Sequence, residues 1–544
     1  MKNGGLSKTY AESRFQVFLL LGLCFLLYFF NLNQWDLWNP DEPRYAQVAR
    51  EMVEGGDWIV MHFNGETYAD KPPLFFWAVA LSSFLWQGFS SFAVRFPSAL
   101  FSTCTVVLTF LLGKRFYGSR TGFFSALILA TSLEFAYLSS RANIDATLTF
   151  FTTASLYCFI LWYFHEERKR ARLLIYGFYA AMALATLSKG PVGFILPLLG
   201  CLIYLLFQKD WKAMKEMRLV TGLTLFLGMV LAWYLPAVAR GGPDYLRATL
   251  LQHSVERFST GWGGHAKPFY YFFLRIPVDF LPWSIFLPAA ILHGFSSRLM
   301  EKKPFYFFLT WCVVIFIFFS LSKGKRGLYL LPLYPGLALL VGKVWNDFVD
   351  SSLGSLKPQW ISWPSFGCAV ATLVAGLAAP WIVRMKLPSH FYYSLPVSVV
   401  LVAGGLSGLL LYRRRTWGII FLLISGLTAA GFFCTLRVAF PLANPYRSGR
   451  FLSQEITSRI QPGEKVGIYG GSTGPYSFYT DIVPIRELED GEDFFRFLES
   501  NERVFCLVKE KRLEAFQRTG KMPKFVLIAR RPGEGNRVVL ISNR

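Results

Sequence analysis

The sequence predicts a polytopic α-helical membrane protein that carries a small α/β domain after its last membrane span. Three observations predict this class. About thirteen apolar stretches follow one another between residues 14 and 437, and about 20 such residues cross a bilayer. Charged residues make up 17% of the chain while 53% is hydrophobic, whereas a soluble domain carries roughly 25% charge. After residue 437 the long apolar runs stop, and short strand-like and amphipathic segments replace them.

The expected spans are 14–32, 93–113, 121–139, 146–164, 172–187, 190–207, 219–239, 271–296, 304–321, 327–346, 363–384, 394–412 and 416–437. The first follows Lys2, Lys8 and Arg14 like a secretion signal. It lacks a small-residue cleavage site, so a retained anchor is expected. The stretch PPLFFWAVALSSFLW (72–86) is shorter and follows two prolines, which predicts an interfacial helix. Residues 1–437 are thus read as a membrane domain with a first external loop at 31–92, and residues 438–544 as a soluble α/β domain. In the latter, EKVGIYGG, ERVFCLVKEK, KFVLIARR and RVVLIS read as strands, and EDFFRFLES and RLEAFQRTG as helices.

The formal net charge of +22 does not imply nucleic acid, because the chain holds no nucleic-acid-binding motif. Its basic residues cluster in every second loop, as cytoplasmic loops do. The clusters are at the N-terminus, Lys114/Arg115/Arg120, 168–172, 209–218, 298–303, Lys343/Lys357 and 413–415. That alternation predicts a cytoplasmic N-terminus and an external C-terminal domain. The eight cysteines lie almost all in apolar runs without a CxxC, so no disulfide framework or zinc knuckle is expected.

The unusual polar residues fall in the remaining, outward loops. WNPDEPRYA (38–46) holds Asp41 and Glu42 between two prolines and Arg44 just after the second. ADKPPL holds Lys71, SSRANIDATLTFF holds Arg141 and Asp145, and SKGPVG holds Lys189. LSKGKRGLYLLPLYP places Lys323, Lys325 and Arg326 in a short outer loop, against the positive-inside pattern, so an anionic partner such as a surface phosphate is expected. A carboxylate after Pro40 suits a general base, but a structural pair with Arg44 at a helix start suits it as well. Asp145 also suits a helix cap, and Lys71 an ordinary interfacial lysine. His253, Glu256 and His265 are candidate ligands for a divalent metal, although no HExxH-type spacing supports them.

DEPRYA after the first span, DKPPL before the interfacial helix, NIDA, LSKGPVG and KGKRGLYLLPLYP occur in this order. The series resembles the bacterial lipid A aminoarabinose transferases, within the protein O-mannosyltransferase-like superfamily of GT-C fold. The resemblance covers residues 14–437. It implies a GT-C membrane domain of about thirteen spans with periplasmic interfacial helices, in the bacterial inner membrane. It implies an undecaprenyl-phosphate donor carrying 4-amino-4-deoxy-L-arabinose and a lipid A phosphate as acceptor, with direct displacement and inversion. Asp41 matches the catalytic carboxylate and Asp145 the second acidic position. Arg44 and Lys71 would face the donor phosphate, and Lys189, Lys323, Lys325, Arg326 and Tyr329 would complete the cationic site. Glu42, Glu66 or Asp70 could meet a sugar amine. The motifs call for no cofactor beyond the metal candidates above. A protein Ser/Thr acceptor is the nearest alternative. A lipid or sugar transporter is the alternative of another class, but it would place charges at the bilayer midplane.

Overall fold

The computed structural model describes residues 3–249, 266–296, 299–386, 388–518, 522–531 and 537–544. The chain is a multi-pass membrane protein. Among the described residues, nine helices are long and apolar enough to cross a membrane, or eleven if each of two bent pairs is one span. The pairs are Ser119–Thr131 with Leu133–Ser139, bent by 70°, and Tyr271–Asp279 with Trp283–Ser296, bent by 107°. Each of the thirteen expected spans coincides with helix, but the count of thirteen is not met. Val192–Gln208 has 17 residues, about 25 Å of helix against an apolar core of about 30 Å. Arg172–Lys189 begins and ends on a cation, and it too is not among the crossing helices. The last expected span continues through a π-turn at Thr435–Ala439 into the helix Phe440–Arg447.

The stretch Gly327–Val349 is the centre of the bundle, with 83% of its apolar window buried, while Gln359–Met385 lies at the edge with 11%. Small residues let neighbouring helices touch at the backbone. A Cβ on Gly113 would stand 2.6 Å from the Cα of Gly122, which is how Ser91–Tyr117 closes on Ser119–Thr131.

The loop between the first two spans folds into the helix Asp41–Gly55, a hairpin of β1 (His62–Phe63) and β2 (Glu66–Thr67), and the expected interfacial helix Leu74–Leu85. A separate apolar core holds these pieces together. Tyr45, Phe75, Phe76, Val94, Ile144 and Phe478 all belong to it, so it ties the loop to two spans and to the soluble domain.

Among the described residues the soluble domain has five strands: β3 (Lys465–Tyr469), β4 (Arg486–Leu488), β5 (Val504–Lys509), β6 (Val526–Arg530) and β7 (Val538–Ser542). Their order is β4-β3-β5-β7-β6, with β3 parallel to both neighbours and β7 antiparallel to its own. The central strands read as continuous apolar runs because both faces are covered. Val504, Cys506 and Val508 face the helices Gly491–Leu498 and Glu510–Arg518, while Phe505 and Leu507 face Arg450–Thr457 and Gly474–Thr480. The four predicted strands and two predicted helices are present. β4 and the helices Arg450–Thr457 and Gly474–Thr480 were not expected.

Candidate active site

The helix Asp41–Gly55 starts directly after Pro40, with Asp41 and Glu42 in its first turn, where the helix dipole favours carboxylates. Adjacent residues on a helix point about 100° apart, so the two acids have different surroundings. Glu42 turns inward and is fully buried. Its carboxylate accepts from Arg95 at 2.7 and 3.0 Å, from Arg141 at 3.1 Å, and from the amides of Trp38 and Ala142, each at 3.0 Å. Burial pushes its pKa up, but Arg95 and Arg141 outweigh this and hold it at about 2. The same Arg95 donates to the carbonyls of Leu32, Trp35 and Asp36. Glu42 is therefore a structural anchor of the loop. A substrate group such as the sugar amine would reach Glu42 only by displacing these donors, because its oxygens are already engaged inside the protein.

Asp41 points the other way and keeps some exposure. Arg326 donates to its Oδ2 at 2.5 Å and Arg44 to its Oδ1 at 2.9 Å. Burial raises the Asp41 pKa, but Arg326, then Arg44 and Arg141, outweigh it and leave the group below the ordinary carboxylate range. Arg44 also lies 3.9 Å from Asp70, whose carboxylate takes the Lys71 ammonium at 2.6 Å. Glu66, the other carboxylate considered for an amine, is exposed on the hairpin.

Asp145 lies in the first turn of the helix Ile144–Tyr163, but it is not the cap. Asn143 is, accepting from the Ala146 amide at 2.9 Å. Asp145 instead pairs with Lys189, the last residue of its helix. The Lys189 ammonium also stands 4.2 Å from the centroid of the Tyr329 ring. Tyr329 is three residues from Arg326 in the same tight turn, its amide bonded to the Arg326 carbonyl at 3.1 Å. Arg326 in turn feels the charge of both Asp41 and Asp145. Segments far apart in the chain thus meet in one cluster. Its charged members are Arg44, Lys71, Lys189 and Arg326 with Asp41, Asp70 and Asp145.

The three cations of the KGKR loop separate. Arg326 enters the cluster. Lys325 is buried, and its ammonium donates to the carbonyls of Ser322 and, at 3.1 Å, of Lys267. Burial lowers its pKa. It pins the loop to the segment before Tyr271. Lys323 is exposed, and its carbonyl accepts from the Lys267 amide at 3.1 Å. His253, Glu256 and His265 lie outside the described residues. Among the described residues no group of three His, Cys, Asp or Glu side chains is set to hold a metal.

Sequence reading missed Arg95, concealed at the start of an apolar span. A lone arginine at membrane depth is a signal that could have found it. Missed as well was the soluble domain's seat on the site. Gly474 packs tightly here, since a Cβ there would lie 3.2 Å from Arg44 Cβ and 3.3 Å from its backbone. Arg50 donates to the Phe478 carbonyl at 2.9 Å and pairs with Asp481 at 2.8 Å. Asn64 and the Ile485 backbone exchange two hydrogen bonds, both 2.8 Å.

Residues 14–240 match the family model for dolichyl-phosphate-mannose-protein mannosyltransferase. An undecaprenyl phosphate-alpha-4-amino-4-deoxy-L-arabinose arabinosyl transferase of Pseudomonas aeruginosa (strain LESB58) is 35% identical over 334 residues, 61% of this chain and 60% of that protein. A second protein of that name, arabinosyl transferase 2 of Proteus mirabilis (strain HI4320), is 33% identical over 333 residues, 60% of this chain and 59% of the relative. The match thus spans about 60% of the length of these curated relatives. The crystal structure of ArnT from Cupriavidus metallidurans bound to undecaprenyl phosphate superposes with a TM-score of 0.81 at 21% identity, over 97% of this chain and 98% of that one. The chain therefore has the ArnT-like GT-C fold, the C-terminal sheet domain included.

Proposed function

We propose that this relative of the aminoarabinose arabinosyl transferases is an integral-membrane glycosyltransferase. It moves 4-amino-4-deoxy-L-arabinose from undecaprenyl phosphate to a lipid A phosphate at the periplasmic face of the bacterial inner membrane. The N-terminus is then cytoplasmic, and the site and the soluble domain are periplasmic. The observation that carries the reading is the cluster itself: Asp41 and Asp145, 104 positions apart, are bound by Arg326 and Lys189 where the spans meet the external loop.

In the transfer, an oxygen of the acceptor phosphate attacks the anomeric carbon. The bond from that carbon to the donor phosphate oxygen breaks, and its electron pair leaves with the lipid phosphate. Arg326, Arg44, Lys71 and Lys189 stabilise the departing negative charge, and one such contact is typically worth about 10²–10³ in rate. The incoming phosphate competes with Asp41 for Arg326 and Arg44, which brings donor and carboxylate into one network.

The depressed pKa of Asp41 keeps it ionised and makes it a weak base. A hydroxyl acceptor needs a base whose pKa lies near the working pH. A phosphate monoester, with a second pKa of about 6, arrives largely ionised. Asp41 therefore supports a phosphate acceptor, and its own task is to stabilise the cationic sugar carbon and orient the attacking oxygen. The mannosyltransferase family match favours one other reading, in which the same site serves a Ser/Thr hydroxyl.

The test supplies purified protein in lipid with undecaprenyl-phosphate aminoarabinose and lipid A, and reads the product by mass spectrometry. One added aminopentose with wild type, and none with Asp41→Asn, is expected. No product from folded wild type, together with transfer to a Ser/Thr peptide, would replace the acceptor in this reading. Product with the same anomeric configuration as the donor would exclude direct displacement.

A further inference from the structure

The soluble domain has a crevice of its own, a cavity of about 380 Å³ at the carboxyl ends of β3 and β5. These strands are parallel neighbours. The chain leaves β3 through Gly470 and Gly471 for the helix Gly474–Thr480, whose Tyr476 covers one face of the sheet. It leaves β5 for the helix Glu510–Arg518, whose Leu513 covers the opposite face. Neighbouring strands whose connections depart to opposite faces leave a gap at their carboxyl ends, and open α/β sheets bind ligands in that gap.

The lining gives the gap a sign. Lys509 at the end of β5, Arg531 just after β6, and Arg447 all reach it, and among the described residues no carboxylate lines it. The Arg531 Nε is buried and has no hydrogen-bond partner among the described residues. A buried guanidinium nitrogen without an acceptor is costly unless a ligand supplies one. The amides of Gly471, Ser472 and Thr473 likewise donate no backbone hydrogen bond among the described residues. Gly470, at φ +71°, turns the chain there, and Gly471 and Ser472 line the cavity.

We propose that this crevice binds a phosphate group, carried by a lipid headgroup or by a soluble phosphorylated molecule. Asn39 also lines it, two residues before Asp41, so an occupant touches the loop that carries the candidate catalytic carboxylate. The proposal does not depend on the sugar or acceptor assigned above.

The experiment is calorimetric titration of the full-length protein in phosphatidylcholine nanodiscs with inorganic phosphate. The Lys509→Gln/Arg531→Gln double variant removes two cations of the crevice. Arg326→Gln removes one of the four cations of the site described above and leaves the crevice intact. A saturable component that survives in Arg326→Gln and weakens at least tenfold in the double variant is expected. No such component, or its persistence in the double variant, would overturn the proposal. Phosphatidic acid in the nanodiscs separates the sources: if it displaces inorganic phosphate the ligand is a lipid headgroup, and if the isotherm is unchanged the ligand is soluble.

Discussion

Glu42→Gln tests the view that Glu42 anchors the loop and does not serve substrate. Its carboxylate is buried against Arg95 and Arg141, with a pKa of about 2 in place of 4.5. That difference corresponds to about 3 kcal/mol of stability at neutral pH, in line with the cost of about 3–5 kcal/mol for breaking a buried ion pair from one side. The folded pKa is the lower one, so this stability is present above pH 4.5 and is lost as pH falls from 4.5 toward 2. The assay is unfolding of the full-length protein in mixed micelles, followed by tryptophan fluorescence, at pH 7 and pH 3. Glu42→Gln should be about 3 kcal/mol less stable than wild type at pH 7. The gap should shrink by about 2 kcal/mol at pH 3, where wild type has lost most of the advantage. Methionine at both 42 and 95 should not restore stability, because the carbonyls of Leu32, Trp35 and Asp36 would lose their donor. A variant within about 0.5 kcal/mol of wild type at pH 7, or a gap independent of pH, would refute the reasoning.

Asp41→Asn should lower turnover by about 10²–10³, as read from transfer rates, and should also lower the melting temperature, because Arg326 and Arg44 lose their carboxylate partner. Arg326→Lys should be nearly as damaging, because one ammonium cannot hold Asp41 and a phosphate in the planar two-pronged way of a guanidinium; Lys323→Ala should leave the rate within a few-fold, since Lys323 is exposed. Lys325→Met should show mainly as earlier proteolysis of the 322–326 loop, because its ammonium holds the carbonyls of Ser322 and Lys267. Gly474→Val should slow transfer with the membrane domain intact, because its side chain would be driven against Arg44; unchanged kinetics would separate the soluble domain from the site.

The membrane class, the places of the apolar helices and the α/β character of the tail were legible in the sequence, as were the segments that meet in the candidate site. They depend on local composition and period, and a bilayer or a sheet imposes these on neighbouring residues. What could not be read was partnership. Asp41 and Glu42 are adjacent and chemically alike, yet one pairs with Arg326 and the other is buried on Arg95, 53 positions away. Lys325 and Arg326 are likewise adjacent, and one pins a loop while the other meets the candidate catalytic carboxylate. Asp145 could be read as a cap until Asn143 proved to hold that place and left Asp145 for Lys189. The seat of the soluble domain on Arg44 has no local signature at all. Hydrophobicity and turn chemistry act over a few residues, so local sequence says which chemical groups reach the membrane surface. Which of those groups face solvent and which hold the fold together depends on long-range packing, because a charge is stabilised by whatever distant segments bring within about 3 Å of it.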